Sequence, residues 1–329
     1  MVKDVSYISN KDSCRIIWVD WMKVIGMYFI IAGHLFPPGH KYIYVFNVPL
    51  FFLISGYLCK RETSNNIFWK KLFLNYITPL FCIRTTMFFW EKYIYIDSDN
   101  FISIFDYWLF MLKGYQNCNG ACWFIYTLII VKILFQYLKS TYIQIPLLIV
   151  LTYSAYFLNA NGIHKGNAIL NVTIAYQPFY IGFLLKRYKI FIDSYCPNIA
   201  TLTVMLLTGV LTIYLCGQFN GEVWAYKTGY GHSFLLYIIG TLGGVIAIFS
   251  LSKLFGSFYN NIIYILSVGN IITLGFHQVF VNLIRLYLPT MNYYTYMLSL
   301  IIILSFYPII LFCRRWCPIF LGIYHSSKQ

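Results

Sequence analysis

Ile16-Ile17-Trp18-Val19-Asp20-Trp21-Met22-Lys23-Val24-Ile25-Gly26-Met27-Tyr28-Phe29-Ile30-Ile31-Ala32-Gly33-His34-Leu35-Phe36 has the length of a membrane crossing and carries three ionisable side chains. A span needs about 20 mostly apolar residues. Charge inside hydrocarbon costs several kcal/mol on the harsher scales, so such groups are seldom present without a job. Lys23 and His34 are eleven residues apart. At about 100° per residue they lie within about 20° of one another, about 16 Å apart along the axis. Asp20, three residues before Lys23, shares that face and is placed to neutralise it. An acid, a cation and an imidazole on one helix face suit a reaction path better than a packing surface.

The rest of the chain supports a membrane reading. Of 329 residues, 60% are hydrophobic and only 10% charged, against about 25% charged in soluble domains. So little polar surface cannot enclose so apolar a core in water. Long unbroken apolar runs exclude a transmembrane β-barrel, whose strands alternate in short segments. The expected fold is all-α, a single polytopic bundle spanning 1–329. Its ten spans are read at 16–36, 45–59, 72–90, 119–138, 143–159, 169–185, 199–216, 233–252, 268–288 and 294–312. The second is short and holds Pro49, which suggests a broken or re-entrant segment. The amphipathic stretch 101–113 is expected at the membrane interface. No cleavable leader is expected, because the first apolar run ends in a Phe36-Pro37-Pro38-Gly39 turn without a small-residue cleavage site.

Charge sets the orientation. With the N-terminus in the cytoplasm, fifteen of the 24 Lys and Arg residues, Lys3, Lys11, Lys189 and Lys328 among them, fall in inner segments. Five fall in outer loops, Lys165 among them, and four within spans, so both termini are expected to be cytoplasmic. The outer loops hold Asp97 and Asp99. The net charge of +14 then reports the positive-inside bias and attraction to anionic membrane lipid, with no nucleic-acid partner. Nine Cys form no regular framework, and no acidic, His or Cys cluster has metal-site spacing.

Val19-Asp20-Trp21-Met22-Lys23 with Gly33-His34, followed by Pro49-Leu50-Phe51-Phe52-Leu53-Ile54-Ser55-Gly56-Tyr57-Leu58, resembles the acyltransferase-3 family of integral membrane proteins. Lys70-Lys71, Thr78-Pro79, Gly120-Ala121-Cys122-Trp123-Phe124, Gln177-Pro178-Phe179-Tyr180-Ile181-Gly182 and Gly269-Asn270-Ile271-Ile272-Thr273 with His277 extend the likeness over most of the chain. Lys23 stands where many members have Arg, and Ala121-Cys122 replaces Pro-Leu. The resemblance implies an O-acetyltransferase of the bacterial inner membrane. Acetyl-CoA would be the donor, without a permanently bound cofactor, and a surface glycan (O-antigen, capsule, exopolysaccharide or lipid-linked precursor) the acceptor.

Acyl transfer to a hydroxyl needs a base, a grip on the donor and donors toward the developing oxyanion. His34 is the expected base or acyl carrier, with a backbone-bonded core histidine as the alternative. Lys23 is expected to grip donor phosphate, or to be neutralised by Asp20. Arg84, too deep for lipid, lines a donor or acceptor cavity or bonds between helices. The family pattern gives His277 a catalytic or oxyanion role and places Asn270 at the substrate. Arg285 holds substrate or snorkels to the outer interface, and Trp224 could stack on a sugar. A transporter or flippase of lipid-linked glycan would also bury charges, and is the rival from another class.

Overall fold

The computed structural model describes residues 15–94, 103–163, 166–188, 197–288 and 292–322, and among them there are helices and no strand. Lys3, Lys11, Asp97, Asp99, Lys165, Lys189 and Lys328, used above for orientation, lie outside these residues, as do 101 and 102. The chain opens with α1 (Ile17–Leu35), α2 (His40–Tyr44) and α3 (Asn47–Leu58). There follow α4 (Asn65–Leu72), a π-helical turn over Phe73–Ile77, and α5 (Thr78–Ile94). Short α6 (Ile104–Leu112) and α7 (Gln116–Asn119) lead into α8 (Trp123–Tyr137), α9 (Thr141–Ala160) and α10 (Val172–Arg187). The last third is α11 (Ile199–Phe219), α12 (Phe234–Leu254), α13 (Asn261–Val268), α14 (Asn270–Tyr287) and α15 (Tyr294–Trp316).

A helix lies on each of the ten apolar segments read from the sequence. Seven described helices are long and apolar enough to cross a membrane, eight if α13 and α14, bent by 83°, count as one crossing. Two fall below that bar: α1, which carries the ionisable groups, and α10, at 16 residues. Both are walled in by protein. α1 packs against α3, α12, α13, α14 and α15, and α10 against α3, α8 and α9. The helix that carries Asp20, Lys23 and His34 therefore has other helices, and not lipid, as its solvent.

The interruption foreseen at Pro49 falls earlier. α2 gives way to α3 at Val45–Phe46, and His40–Leu58 still reads as one crossing. Pro49 is the third residue of α3, in the first turn, where a missing N–H removes no helical bond. The sharp break is instead at Gly269, between α13 and α14. In the described part of the foreseen interfacial stretch, α6 is capped by the Ser103 hydroxyl, which accepts from the Asp106 N–H. It buries Tyr107 and Met111 and leaves Phe105, Leu109 and Leu112 exposed.

Small residues set the helix spacing, as expected where lipid supplies no hydrophobic drive between helices. A Cβ on Gly56 of α3 would lie 1.8 Å from the Phe179 carbonyl oxygen of α10, and one on Gly182 would lie 2.0 Å from the Leu53 carbonyl oxygen. The two backbones thus touch at reciprocal glycines. One end of the bundle is basic: Arg15, Lys60, Lys186 and Lys253 line a groove of about 960 Å³ there. Lys186, Arg187, Lys253, Arg314 and Arg315 occupy the last turns of their helices, where cations offset the partial negative charge of the terminus.

Candidate active site

Asp20 is buried at the basic end of α1, with 3% of its surface exposed. Its carboxylate does not hydrogen-bond to Lys23, as the sequence suggested. It accepts from Arg15 Nε at 2.5 Å, Tyr259 Oη at 2.8 Å and Ser267 Oγ at 2.6 Å. Arg15 stacks on the Tyr264 ring at 4.2 Å. These partners come from the residue run before α1 and from the α12–α13 region. Tyr259 and Ser267 arrive from elsewhere in the fold, which the three-residue spacing along α1 could not reveal. Asp20 therefore fastens α1 to α13.

Lys23 is left to a different surrounding. It lines a cavity of about 250 Å³ with Met27, Phe51, Ser55, Tyr76, Lys132 and Asn270. Among the described residues its ammonium makes no hydrogen bond or ion pair. Asn270, the first residue of α14, stands on this wall. Arg285 is fifteen residues further along the same helix, a rise of about 22 Å. Asn270 thus belongs with Lys23, apart from the other groups expected at the acceptor. Lys132 of α8 was missed as a site residue. The available signal was the one that singled out Lys23, a cation inside an apolar span.

His34 sits in the last turn of α1, which ends as Phe36 enters the left-handed region at φ 49°. The Gly33 carbonyl accepts from the Phe36 N–H and from the Tyr44 hydroxyl, at 3.2 and 2.8 Å, so α2 is stapled beside His34. The tertiary fold sets His277 of α14 against it, with ring centroids 5.1 Å apart and planes at 39°. His277 is fully buried. Its Nδ1 lies 3.0 Å from the Thr273 carbonyl oxygen and 2.9 Å from that of Leu274. A carbonyl only accepts, so Nδ1 carries the hydrogen and Nε2 is a bare acceptor. That Nε2 is buried and has no partner among the described residues. No hydrogen bond among the described residues fixes the His34 ring either. Two imidazoles from opposite ends of the sequence thus meet, one with its tautomer set and its lone pair unused.

Arg285 and Trp224 gather at the side of this pair away from the basic end. Arg285 lies over the Phe36 ring at 5.1 Å and within electrostatic reach of His34 and Tyr44. Trp224 is 5.8 Å from the Tyr44 ring and donates its indole N–H to Glu222 at 3.0 Å. It borders a cavity of about 420 Å³ with Asn159, Asn220, Glu222, Lys227 and His232. The loop carrying it is held firmly. The Thr228 N–H donates to Asn171 Oδ1 and Asn171 Nδ2 to the Tyr226 carbonyl, while Asn220 Nδ2 donates to the Tyr230 carbonyl.

Arg84 does not join either group. It is 1% exposed, donates to the Cys118 carbonyl at 2.8 Å and to the Tyr107 hydroxyl, and faces Glu91 at 3.5 Å. Gly120, at φ +49°, leaves room for it, since a Cβ there would lie 2.8 Å from its Nη1. The structure gives Arg84 the interhelical alternative, tying α5 to α6 and α7. Arg84→Ala strands a buried hydroxyl and a carbonyl, and is expected to cost about 1.5–3 kcal/mol of stability, the range for a hydrogen bond to a charged group. Unchanged melting in Arg84→Ala would mean that these contacts do not hold the helices together.

A family model described as an acyltransferase domain covers residues 16–314, from the start of α1 to the last turn of α15. No curated protein and no solved structure matches the chain.

Proposed function

The chain belongs to the acyltransferase-3 family, and on that premise we propose that it moves an acetyl group from acetyl-CoA to a hydroxyl of a bacterial surface glycan or its lipid-linked precursor. It is a multi-pass membrane acyltransferase. The finer reading is carried by one observation, the His34–His277 contact on the axis of α1 above Lys23. The basic end, by the positive-inside rule, faces the cytoplasm of a bacterial inner membrane. Donor phosphates enter there and reach Lys23, and the pantetheine arm follows the α1 face over about 16 Å to His34. The acceptor comes from the other side, where Arg285, Trp224 and the 420 Å³ cavity offer cationic, aromatic and carboxylate contacts to a sugar.

In the direct route, an N–H of His34 donates to the unused Nε2 of His277, which leaves the other His34 nitrogen free to take the proton of the glycan hydroxyl. The alkoxide oxygen forms a bond to the thioester carbonyl carbon. The resulting oxyanion collapses, the C–S bond breaks, and the thiolate of CoA leaves with the proton that His34 returns. Arg285, near His34, offsets the negative charge that develops in between. The test is the mass of surface glycan from cells with and without this chain. A gain of one acetyl per repeat supports the enzyme; altered glycan amount at constant composition would replace it with transport.

The partners of Asp20 alter what a Lys23 substitution should do. Arg15, Tyr259 and Ser267 already satisfy the carboxylate, so Lys23→Ala orphans no acid. The variant is expected to accumulate at parental levels and to bind acetyl-CoA about 10–100-fold more weakly, the worth of one charge-assisted contact. Lys23→Arg should retain most of the affinity. Parental affinity in a well-expressed Lys23→Ala protein would remove Lys23 from the donor site.

A further inference from the structure

Lys132 has a surrounding that the acyltransferase reading does not yet use. It lies on the walls of two adjoining chambers. One is the 250 Å³ cavity of Lys23; the other, of about 300 Å³, is lined by Lys60, Glu62, Lys71, Asn75 and Gln136 at the basic end. Leu58, Tyr76 and Lys132 border both. Its contacts are all neutral: Cys59 Sγ at 3.8 Å, the Tyr76 ring at 5.2 Å and the Phe179 ring at 5.9 Å. Among the described lining residues of the two chambers the one carboxylate is Glu62, and it is held by Lys71 at 2.7 Å. Asp20, the acid nearest Lys23 along α1, is committed to Arg15. Among the described residues neither of the two ammonium groups in this cavity has an ion pair, and Asp20 reaches Lys23 only at electrostatic range. Enclosing a charge away from water is costly unless something pairs with it.

Depth adds a second observation. Lys132 is five residues before the basic end of α8 and Lys23 six residues after that of α1. At 1.5 Å per residue both stand about 7–9 Å inside the bundle, at one level. A single anion with two linked charges, entering between α3, α8 and the π-helical turn, would meet both. We propose that Lys132 and Lys23 together hold the diphosphate of a nucleotide-linked acyl thioester at the junction of the two chambers. This rests on the donor reading above and adds a residue and a ligand group to it.

The test uses the detergent-purified full chain with three probes. Acetyl-CoA and S-acetylpantetheine, which lacks the diphosphate, are titrated calorimetrically. Inorganic pyrophosphate is tested for protection of Cys59 against alkylation, read on the Cys59 peptide by mass spectrometry. Lys132→Met keeps the side-chain length, and removing an unpaired enclosed cation is expected to raise the melting temperature of the ligand-free protein. The same variant should bind acetyl-CoA about 10–100-fold more weakly and S-acetylpantetheine as the parent does, while Lys132→Arg stays near parental. Pyrophosphate should slow Cys59 alkylation in the parent and not in Lys132→Met. Equal acetyl-CoA affinity in parent and Lys132→Met, or no protection by pyrophosphate in the parent, overturns the proposal. Protection by pyrophosphate in a parent that does not bind acetyl-CoA would keep the diphosphate clamp and discard acetyl-CoA as its occupant.

Discussion

His34→Gln is expected to reach the membrane at parental levels, bind acetyl-CoA normally and lose glycan acetylation by about 10²–10⁴-fold, the range for a missing general base. The first two expectations follow from its contacts. No hydrogen bond fixes the His34 ring among the described residues, so replacing it strands no donor or acceptor beyond the His277 Nε2 that is already unpartnered. Glutamine occupies similar space and can still donate to that nitrogen. It cannot take a proton from a hydroxyl at neutral pH, which isolates the chemical role from the packing role. On the proposed route His277→Gln should lose less, because it removes the acceptor that the route gives His34 and keeps His34 itself. Glycan acetylation by His34→Gln at near-parental rate would make this histidine a packing residue and move the chemistry to His277.

Gly182→Ala and Gly56→Ala are each expected to abolish accumulation of folded protein. The added methyl carbons would lie 2.0 Å from the Leu53 carbonyl oxygen and 1.8 Å from that of Phe179. Both obstacles are backbone atoms of helices that cannot rotate away, so α3 and α10 must separate along their whole contact. Overpacking costs about 1–3 kcal/mol and occasionally more; a clash with main chain, and the loss of packing around it, belongs at the upper end. Gly256→Ala is the matched control, because nothing lies within 4 Å of the Cβ it would add. Its melting temperature should match the parent. Parental melting in Gly182→Ala would mean that the α3–α10 contact is looser than the backbone approach implies.

The same residues separate what is legible in the sequence from what is not. The helical segments, the membrane class and the shared face of Lys23 and His34 needed no structure. Apolar run length is set by bilayer thickness, and angular position on a helix by residue spacing alone. Spacing is silent on what the next helix brings. It offered Lys23 as the partner of Asp20, whereas the fold supplies Arg15, Tyr259 and Ser267. It left Arg84 between a cavity and an interhelical bond, which the approach of Tyr107, Cys118 and Glu91 resolves. It placed Asn270 with the substrate groups and passed over Lys132, and the cavity walls join both to Lys23. His34 and His277, 243 residues apart, meet only because α1 and α14 pack together. A helix determines its own faces; which faces meet is determined by where small residues let backbones approach and where buried charges find their partners.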